Sequence, residues 1–182
     1  MNRKYVFLLF ISVCLMCSCN RLRLGFQVNS MIGREVIIPE QLEYYRGRID
    51  KQYDSTALAT IVLWYDSTEC SMCKLNALNK LTEIESFCLD SVDNVNIMVV
   101  LSPNVLSIES FKDAIELIDF EYPFYLDTCQ YFYALNGSLT ENKQLHSFLL
   151  NRDKRIVLCG DPLISYPLWL SYKSHIIDLV EE

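Results

Sequence analysis

The sequence lacks internal repeats, low-complexity tracts and any hydrophobic span after its amino-terminal segment. These absences exclude repeat architectures and biased disordered tracts. Positive charge is also scarce, since residues 20–182 keep 14 of the 16 Lys and Arg and all 23 Asp and Glu, a net charge of −9. Such a balance predicts no affinity for nucleic acid or anionic lipid. Roughly 160 residues are enough for one domain with a sizeable core.

The amino terminus has the layout of a secretory signal. Arg3 and Lys4 precede a short apolar stretch, Tyr5–Met16. That stretch is too short to span a bilayer, and its basic start is typical of a segment that directs export. We therefore expect residues 1–19 to be a signal peptide.

The end of this segment resembles a bacterial lipobox, in which a small residue precedes the cysteine that receives lipid. Ser18 meets that requirement for Cys19, whereas Met16 makes Cys17 the weaker candidate. We predict that lipid on Cys19 anchors the chain to a membrane of the cell envelope, facing the periplasm, with residues 20–31 as a tether. No acidic run follows Cys19, so we find no signal for export to the cell surface. The alternative is an ordinary signal peptide with incidental cysteines.

Five cysteines remain after residue 19, an odd number for a compartment that oxidises thiols. This count argues against a fully paired disulfide scaffold and favours one pair with buried single cysteines. We expect the single ones to pack as small buried hydrophobes: Cys88, Cys129 and Cys159.

The pair is Cys70-Ser71-Met72-Cys73, which follows the apolar run Thr60–Tyr65 and opens a helical pattern. Unpaired backbone N–H groups and the helix dipole favour the thiolate at Cys70, and Cys73 lies one turn further on. This context indicates thiol-disulfide chemistry. The same spacing also occurs in zinc sites and in inert structural disulfides.

Strands and helices alternate along the rest of the chain, which predicts a central mixed sheet flanked by helices on both faces, an α/β fold. A final helix covers the sheet, and a polar turn joins the last two strands into a hairpin. The predicted strands are Glu35–Ile38, ended by Pro39, then Ala59–Tyr65, Asn96–Leu101, Tyr122–Asp127, Phe148–Leu150 and Arg155–Cys159. The predicted helices run from Ser71 to Leu89, from Ser107 past Ile118, and from Leu163 to Val180.

Together, the strand before the cysteines, the Cys70–Cys73 turn, the Tyr122–Asp127 segment and the hairpin resemble the thioredoxin-like fold. More narrowly, they resemble membrane-tethered, redoxin-type thiol-disulfide oxidoreductases and bacterial lipoproteins with an opening like Ile32–Pro39. The resemblance covers about residues 32–180, and we take 32–182 as the domain. It implies that Cys70 attacks a substrate disulfide and that Cys73 resolves the mixed disulfide. It also implies protein or small thiol-disulfide partners, and no metal or organic cofactor.

Three positions differ from that family's pattern. Glu69 replaces an aromatic residue, and its carboxylate opposes thiolate formation, which Lys74 partly offsets. His146 or a neighbour takes the place of a cis-proline that family members commonly carry before the hairpin strand. Trp64 stands about where a buried acidic residue is often found. We regard Glu69, Lys74 and His146 as candidate accessory residues.

Two other functions fit the same residues. The fold could serve a lipoprotein as a binding module without catalysis. Alternatively, Cys70, Cys73 and His146 could carry a soft ion such as Cu(I), since thiolates suit it. We find no threonine and arginine setting for a peroxidase near Cys70. The isolated histidines favour structural roles, His146 as a hydrogen-bonded residue at a strand end and His175 as a solvent-facing helix residue.

Overall fold

The computed structural model describes residues 23–47, 52–66, 81–88, 92, 94–104, 108–116, 122–139 and 141–181. These residues contain one six-stranded sheet with the spatial order β1-β4-β3-β2-β5-β6. The strands are β1 (Glu43–Tyr45), β2 (Ala59–Tyr65), β3 (Val95–Leu101), β4 (Phe124–Leu126), β5 (Ser147–Asn151) and β6 (Ile156–Cys159).

The sheet is mixed. β2, β3 and β4 run parallel to one another, whereas β5 and β6 form an antiparallel hairpin on the other side of β2, and β1 pairs antiparallel with β4. Every residue of β2 and β3 is buried, as expected for central strands covered on both faces. This order and these directions are those of the thioredoxin-like fold, so the predicted fold class is confirmed.

Helices lie on both faces of the sheet. The described helices are α1 (residues 23–31), α2 (Leu81–Ser86), α3 (Ile108–Glu116), α4 (Tyr131–Asn136) and α5 (Tyr166–Glu181). Successive residues of β2 alternate between two cores, because side chains of a strand point to opposite faces. Ile61 and Leu63 belong to the first core, with side chains of α2, α3 and α5. Val62 and Trp64 belong to the second, with Met31 of α1 and Phe132 of α4.

The predicted edge strand Glu35–Ile38 is wrong. Glu35 makes a single antiparallel bridge to Arg155, and the edge strand is β1 instead. The backbone of Ile37 bonds to a side chain rather than to a strand, since its N–H donates to Asn136 Oδ1 at 2.9 Å and its carbonyl accepts from Asn136 Nδ2 at 2.7 Å. The side-chain amide therefore takes the place of ladder hydrogen bonds.

The predicted tether, 20–31, overlaps α1. Met31 is fully buried in the second core and Val28 packs against it, at a spacing that puts both on one helix face. The folded domain therefore includes residues before 32. No helix within the described ranges is both long and apolar enough to cross a membrane.

Candidate functional site

Most of the predicted site lies outside the described residues. Cys70, Cys73, Glu69 and Lys74 are not described, and neither is Cys19. His146 is described. The structure therefore describes one predicted accessory residue and its surroundings at the ends of β2 and β5.

The carboxyl ends of the three parallel strands carry polar residues. Asp66 directly follows β2, Ser102 follows β3 and Asp127 follows β4, and all three are buried. In open α/β sheets, this edge is where ligands bind. Asp66 is the last described residue before Cys70, which follows it by four residues in the sequence.

His146 reaches this edge from the other side of β2. It directly precedes β5, whose Ser147 pairs with Leu63 of β2. Its imidazole stacks on the indole of Trp64, with ring centroids 4.1 Å apart and 16° between the ring planes. Only 3% of His146 is exposed, so the imidazole is part of the domain interior.

Asp66 lies beside the same imidazole. His146 Nδ1 is 3.4 Å from Asp66 Oδ2, within ion-pair distance but outside the angles of a hydrogen bond. Both side chains are buried, so water screens the polar contact between them only weakly. An ionisable nitrogen and a carboxylate oxygen thus meet at the end of β2.

The indole of Trp64 is held by a chain of polar contacts. Its Nε1 donates to Ser102 Oγ at 3.4 Å, and Ser102 Oγ donates to Asp127 Oδ2 at 3.2 Å. Asp127 also accepts hydrogen bonds from the backbone N–H groups of Tyr131 and Phe132, at 2.8 and 2.9 Å. The carboxylate therefore satisfies the first turn of α4 and positions the hydroxyl that fixes the indole. Sequence reasoning missed Asp127, although an acidic residue shortly before a helical segment is a recognisable signal.

A small cavity of about 100 Å³ lies at the end of β2, beside Trp64 and Tyr65. The Tyr65 hydroxyl donates to Asp161 Oδ2 at 3.2 Å, and Asp161 Oδ1 accepts from the N–H of Leu163 at 2.8 Å. Lys143 and the exposed Ile164 also line this cavity. At the carboxyl ends of the parallel strands, which we call the site edge, exposed apolar side chains thus lie next to polar groups that are already hydrogen-bonded.

The three described cysteines differ in exposure. Cys88 and Cys159 are buried, as predicted, but Cys129 is exposed, so the prediction for Cys129 is wrong. Cys129 lies in the turn between β4 and α4, beside Gln130, whose φ of 59° takes the chain through the left-handed region. Burial raises the pKa of the Cys159 thiol to about 11. Cys159 is therefore protonated at neutral pH and is not a nucleophile there.

His175 is exposed on α5, as predicted. His146 directly precedes β5 and lies beside Asp66 rather than in solvent. Among the residues that the structure describes, no group of three His, Cys, Asp or Glu side chains could hold a metal ion. The copper-carrier alternative depends on Cys70 and Cys73, which lie outside those residues.

No family model matches the sequence, and no curated protein matches it. Solved structures are similar in fold. A proposed protein disulfide isomerase from Bacteroides thetaiotaomicron is 13% identical, with a TM-score of 0.47 over 83% of this chain and 91% of that chain. The exposed lipoprotein thioredoxin Etrx1 of Streptococcus pneumoniae is 16% identical, with a TM-score of 0.49 over 74% and 98%. A thioredoxin-like protein from Bacteroides caccae is 14% identical, with a TM-score of 0.47 over 91% and 55%. At these identities the similarity concerns the fold alone.

Proposed function

We propose that this chain is a thiol-disulfide oxidoreductase of the bacterial cell envelope, anchored by lipid on Cys19 and exchanging disulfides through Cys70 and Cys73. The observation that carries the proposal is the arrangement at the end of β2, where Trp64, Asp66 and His146 meet. Cys70 follows Asp66 by four residues, and four residues reach at most about 14 Å. This short connection supports the proposal that the cysteine chemistry takes place at this edge.

The groups at this edge suit a site at which a visiting disulfide must be oriented. The indole of Trp64 is buried and is held by the His146 stack and by Ser102, so it supports a fixed backbone at the end of β2 rather than contacting a substrate itself. Exposed Ile164 and the cavity beside Tyr65 offer apolar contact at the same end of β2. The Asp66 carboxylate, like that of Glu69, opposes negative charge on a nearby sulfur, so it is suited to accept a proton from a thiol rather than to stabilise a thiolate.

The reaction needs two exchange steps. The Cys70 thiolate attacks one sulfur of the substrate disulfide, so a bond between Cys70 Sγ and that sulfur forms while the substrate S–S bond breaks. The departing thiolate takes a proton from solvent. The Cys73 thiolate then attacks Cys70 Sγ, and the second substrate thiolate leaves and is protonated. The substrate gains two electrons, and a partner dithiol returns them to the Cys70–Cys73 disulfide. The reverse sequence oxidises a dithiol, and the relative reduction potentials decide the direction.

Trapping of the mixed disulfide tests this proposal. The exposed Cys129 thiol would confuse the result, so all variants carry Cys129→Ser. In that background, Cys73→Ala should accumulate a covalent complex with a small disulfide peptide, because Cys70 can attack but nothing resolves the product. The matched double variant, Cys70→Ala with Cys73→Ala, should form none.

Two results would contradict the redox proposal. If both variants form equal amounts of adduct, another thiol reacts. If neither forms any, the thiol pair is not accessible for exchange, and the binding-module function becomes the better explanation. Copper that stays with the wild-type chain through gel filtration, and is lost in His146→Ala, would instead support the carrier.

A further inference from the structure

We propose that one face of the domain lies against the lipid bilayer that holds the anchor. This face, the α1 face, consists of the exposed residues Arg23, Phe26, Ile32, Arg34 and Ile37. The inference rests on the lipid attachment at Cys19 proposed above and does not depend on the redox activity.

The first argument is the length of the chain between the lipid and the fold. Only residues 20–22 separate Cys19 from Arg23, where the described part of α1 starts. Four Cα steps span at most about 14 Å, so α1 cannot move far from the membrane surface. Because Met31 is fully buried in the second core, α1 cannot separate from the domain without exposing it. The anchor therefore constrains the whole domain and not only its first residues.

The second argument is the apolar surface at this place. Phe26 is 77% exposed, the highest value among the large exposed hydrophobic residues of the described chain. Ile32 and Ile37, in the segment after α1, are 42% and 48% exposed. Isolated exposed apolar residues are ordinary. Here, however, Phe26 lies on a helix next to the proposed lipid anchor, and two exposed isoleucines follow it in the sequence. Apolar side chains in such a position insert into the boundary between lipid headgroups and acyl chains.

The third argument is charge. Arg34 donates to the carbonyl of Ser138 at 3.2 Å, and Arg155 donates to the carbonyl of Gly33 at 2.9 Å, so both guanidinium groups lie at the α1 face. Exposed Arg23 adds a third cation. The acidic residue within the same segment is Glu35, and Asp153 lies in the nearby hairpin turn. Cations therefore predominate on this face, despite the negative charge of the chain as a whole.

The opposite layer, formed by α2, α3 and α5, is acidic. Its two described lysines are engaged in ion pairs, Lys112 with Glu43 and Lys173 with Glu83. The exposed acids of this layer are Glu83, Glu109, Asp113, Asp178 and Glu181. Anionic lipid attracts the α1 face and repels this layer, which selects one orientation. The net charge of the chain predicts no attraction to anionic lipid. That prediction does not take account of the unequal distribution of charge between the two faces.

This orientation would bring the site edge near the membrane. Asn142 Nδ2 donates to Gln27 Oε1 of α1 at 3.2 Å, and the 3₁₀ turn Lys143–Leu145 then leads directly to His146. A partner with a disulfide or dithiol close to the bilayer surface would therefore be within reach.

Quenching by brominated lipid tests the orientation. The mature chain, with lipid on Cys19, is reconstituted into vesicles of phosphatidylethanolamine and bromine-labelled phosphatidylglycerol, as Phe26→Trp and as the matched control Ile177→Trp on α5. The native Trp64 and Trp169 are buried, and the wild-type signal is subtracted. Phe26→Trp should lose roughly half of its added emission, and Ile177→Trp less than about a tenth, because bromine quenches only at close range to the boundary.

The outcomes separate the anchor from the orientation. A lipidated chain that floats with vesicles but shows no quenching at position 26 overturns the docking proposal and leaves the anchor standing. If mass spectrometry of the purified chain shows no lipid on Cys19, both the anchor and the docking of the α1 face are overturned. A blue shift of Phe26→Trp that grows with protein concentration, without quenching, assigns the face to a second copy of the chain and also overturns the proposal.

Discussion

The imidazole of His146 lies flat on the indole of Trp64, 4.1 Å away between ring centroids. The pairing of β5 with β2 brings together these two residues, which are far apart in the sequence. No described peptide bond is cis, so the chain enters β5 through a trans histidine where the resemblance leads one to look for a cis-proline.

Removal of this stack should destabilise the domain. His146→Ala deletes the ring contact and leaves a void in the second core, so we expect a loss of about 2 kcal/mol in the free energy of unfolding. His146→Phe keeps the stack and should lose about 1 kcal/mol or less. Urea denaturation measures both, with His175→Ala as the exposed control. Equal losses in His146→Ala and His146→Phe would show that the ring is not the stabilising group.

The hydrogen bonds of Asn136 should also matter. This buried side chain bonds both backbone groups of Ile37 and donates to the carbonyl of Phe132 at 3.0 Å. Asn136→Ala leaves these groups unsatisfied and should cost about 2 kcal/mol. The exposed Asn29→Ala should change unfolding by less than about 0.5 kcal/mol. If the two variants unfold at the same urea concentration, the segment 32–38 is not held by this residue.

The described thiols should differ in reactivity. Cys129 is exposed and should be alkylated by iodoacetamide in the native protein, whereas buried Cys88 and Cys159 should react only after unfolding. Mass spectrometry of native and urea-treated samples measures the difference. Rapid native labelling of Cys159 would contradict the described packing.

Cys159 also predicts a pH dependence. Its folded pKa of about 11 is above the ordinary thiol value because burial opposes the thiolate. The protonated thiol makes its full contribution to the free energy of unfolding at a pH below the ordinary thiol pKa. This contribution is lost as the pH rises through the pKa of the folded protein. Cys159→Ala should therefore flatten the alkaline decline of stability, as measured by unfolding at several pH values. An unchanged decline would exclude this thiol as a cause.

The sequence predicts the central strands well because their physical causes are local. Ala59–Tyr65 is a continuous apolar run, and burial on both faces requires such a run. The hairpin is equally local, since a polar turn joins two apolar segments. The buried Cys88 follows from its place on the apolar helix face, at the spacing that continues Leu81 and Ile84.

The errors come from contacts between distant residues. Glu35–Ile38 has the composition of a strand. Its backbone does not pair as one, because the side chain of Asn136, about a hundred residues away, forms hydrogen bonds with the N–H and the carbonyl of Ile37. The contact of His146 with Trp64 and Asp66 depends on how two strands pair, which single residues do not encode. Cys129 follows a strand, and its exposure results from the path of the turn into α4.

A redox titration of the cysteine pair tests the central claim most directly. The Cys129→Ser chain is equilibrated in glutathione buffers of graded potential, and the thiols are then blocked and counted by mass. The account predicts one reversible two-electron transition at Cys70 and Cys73, absent when either is replaced by Ala. A pair that remains fully oxidised, or fully reduced, throughout the series in the folded protein would contradict it.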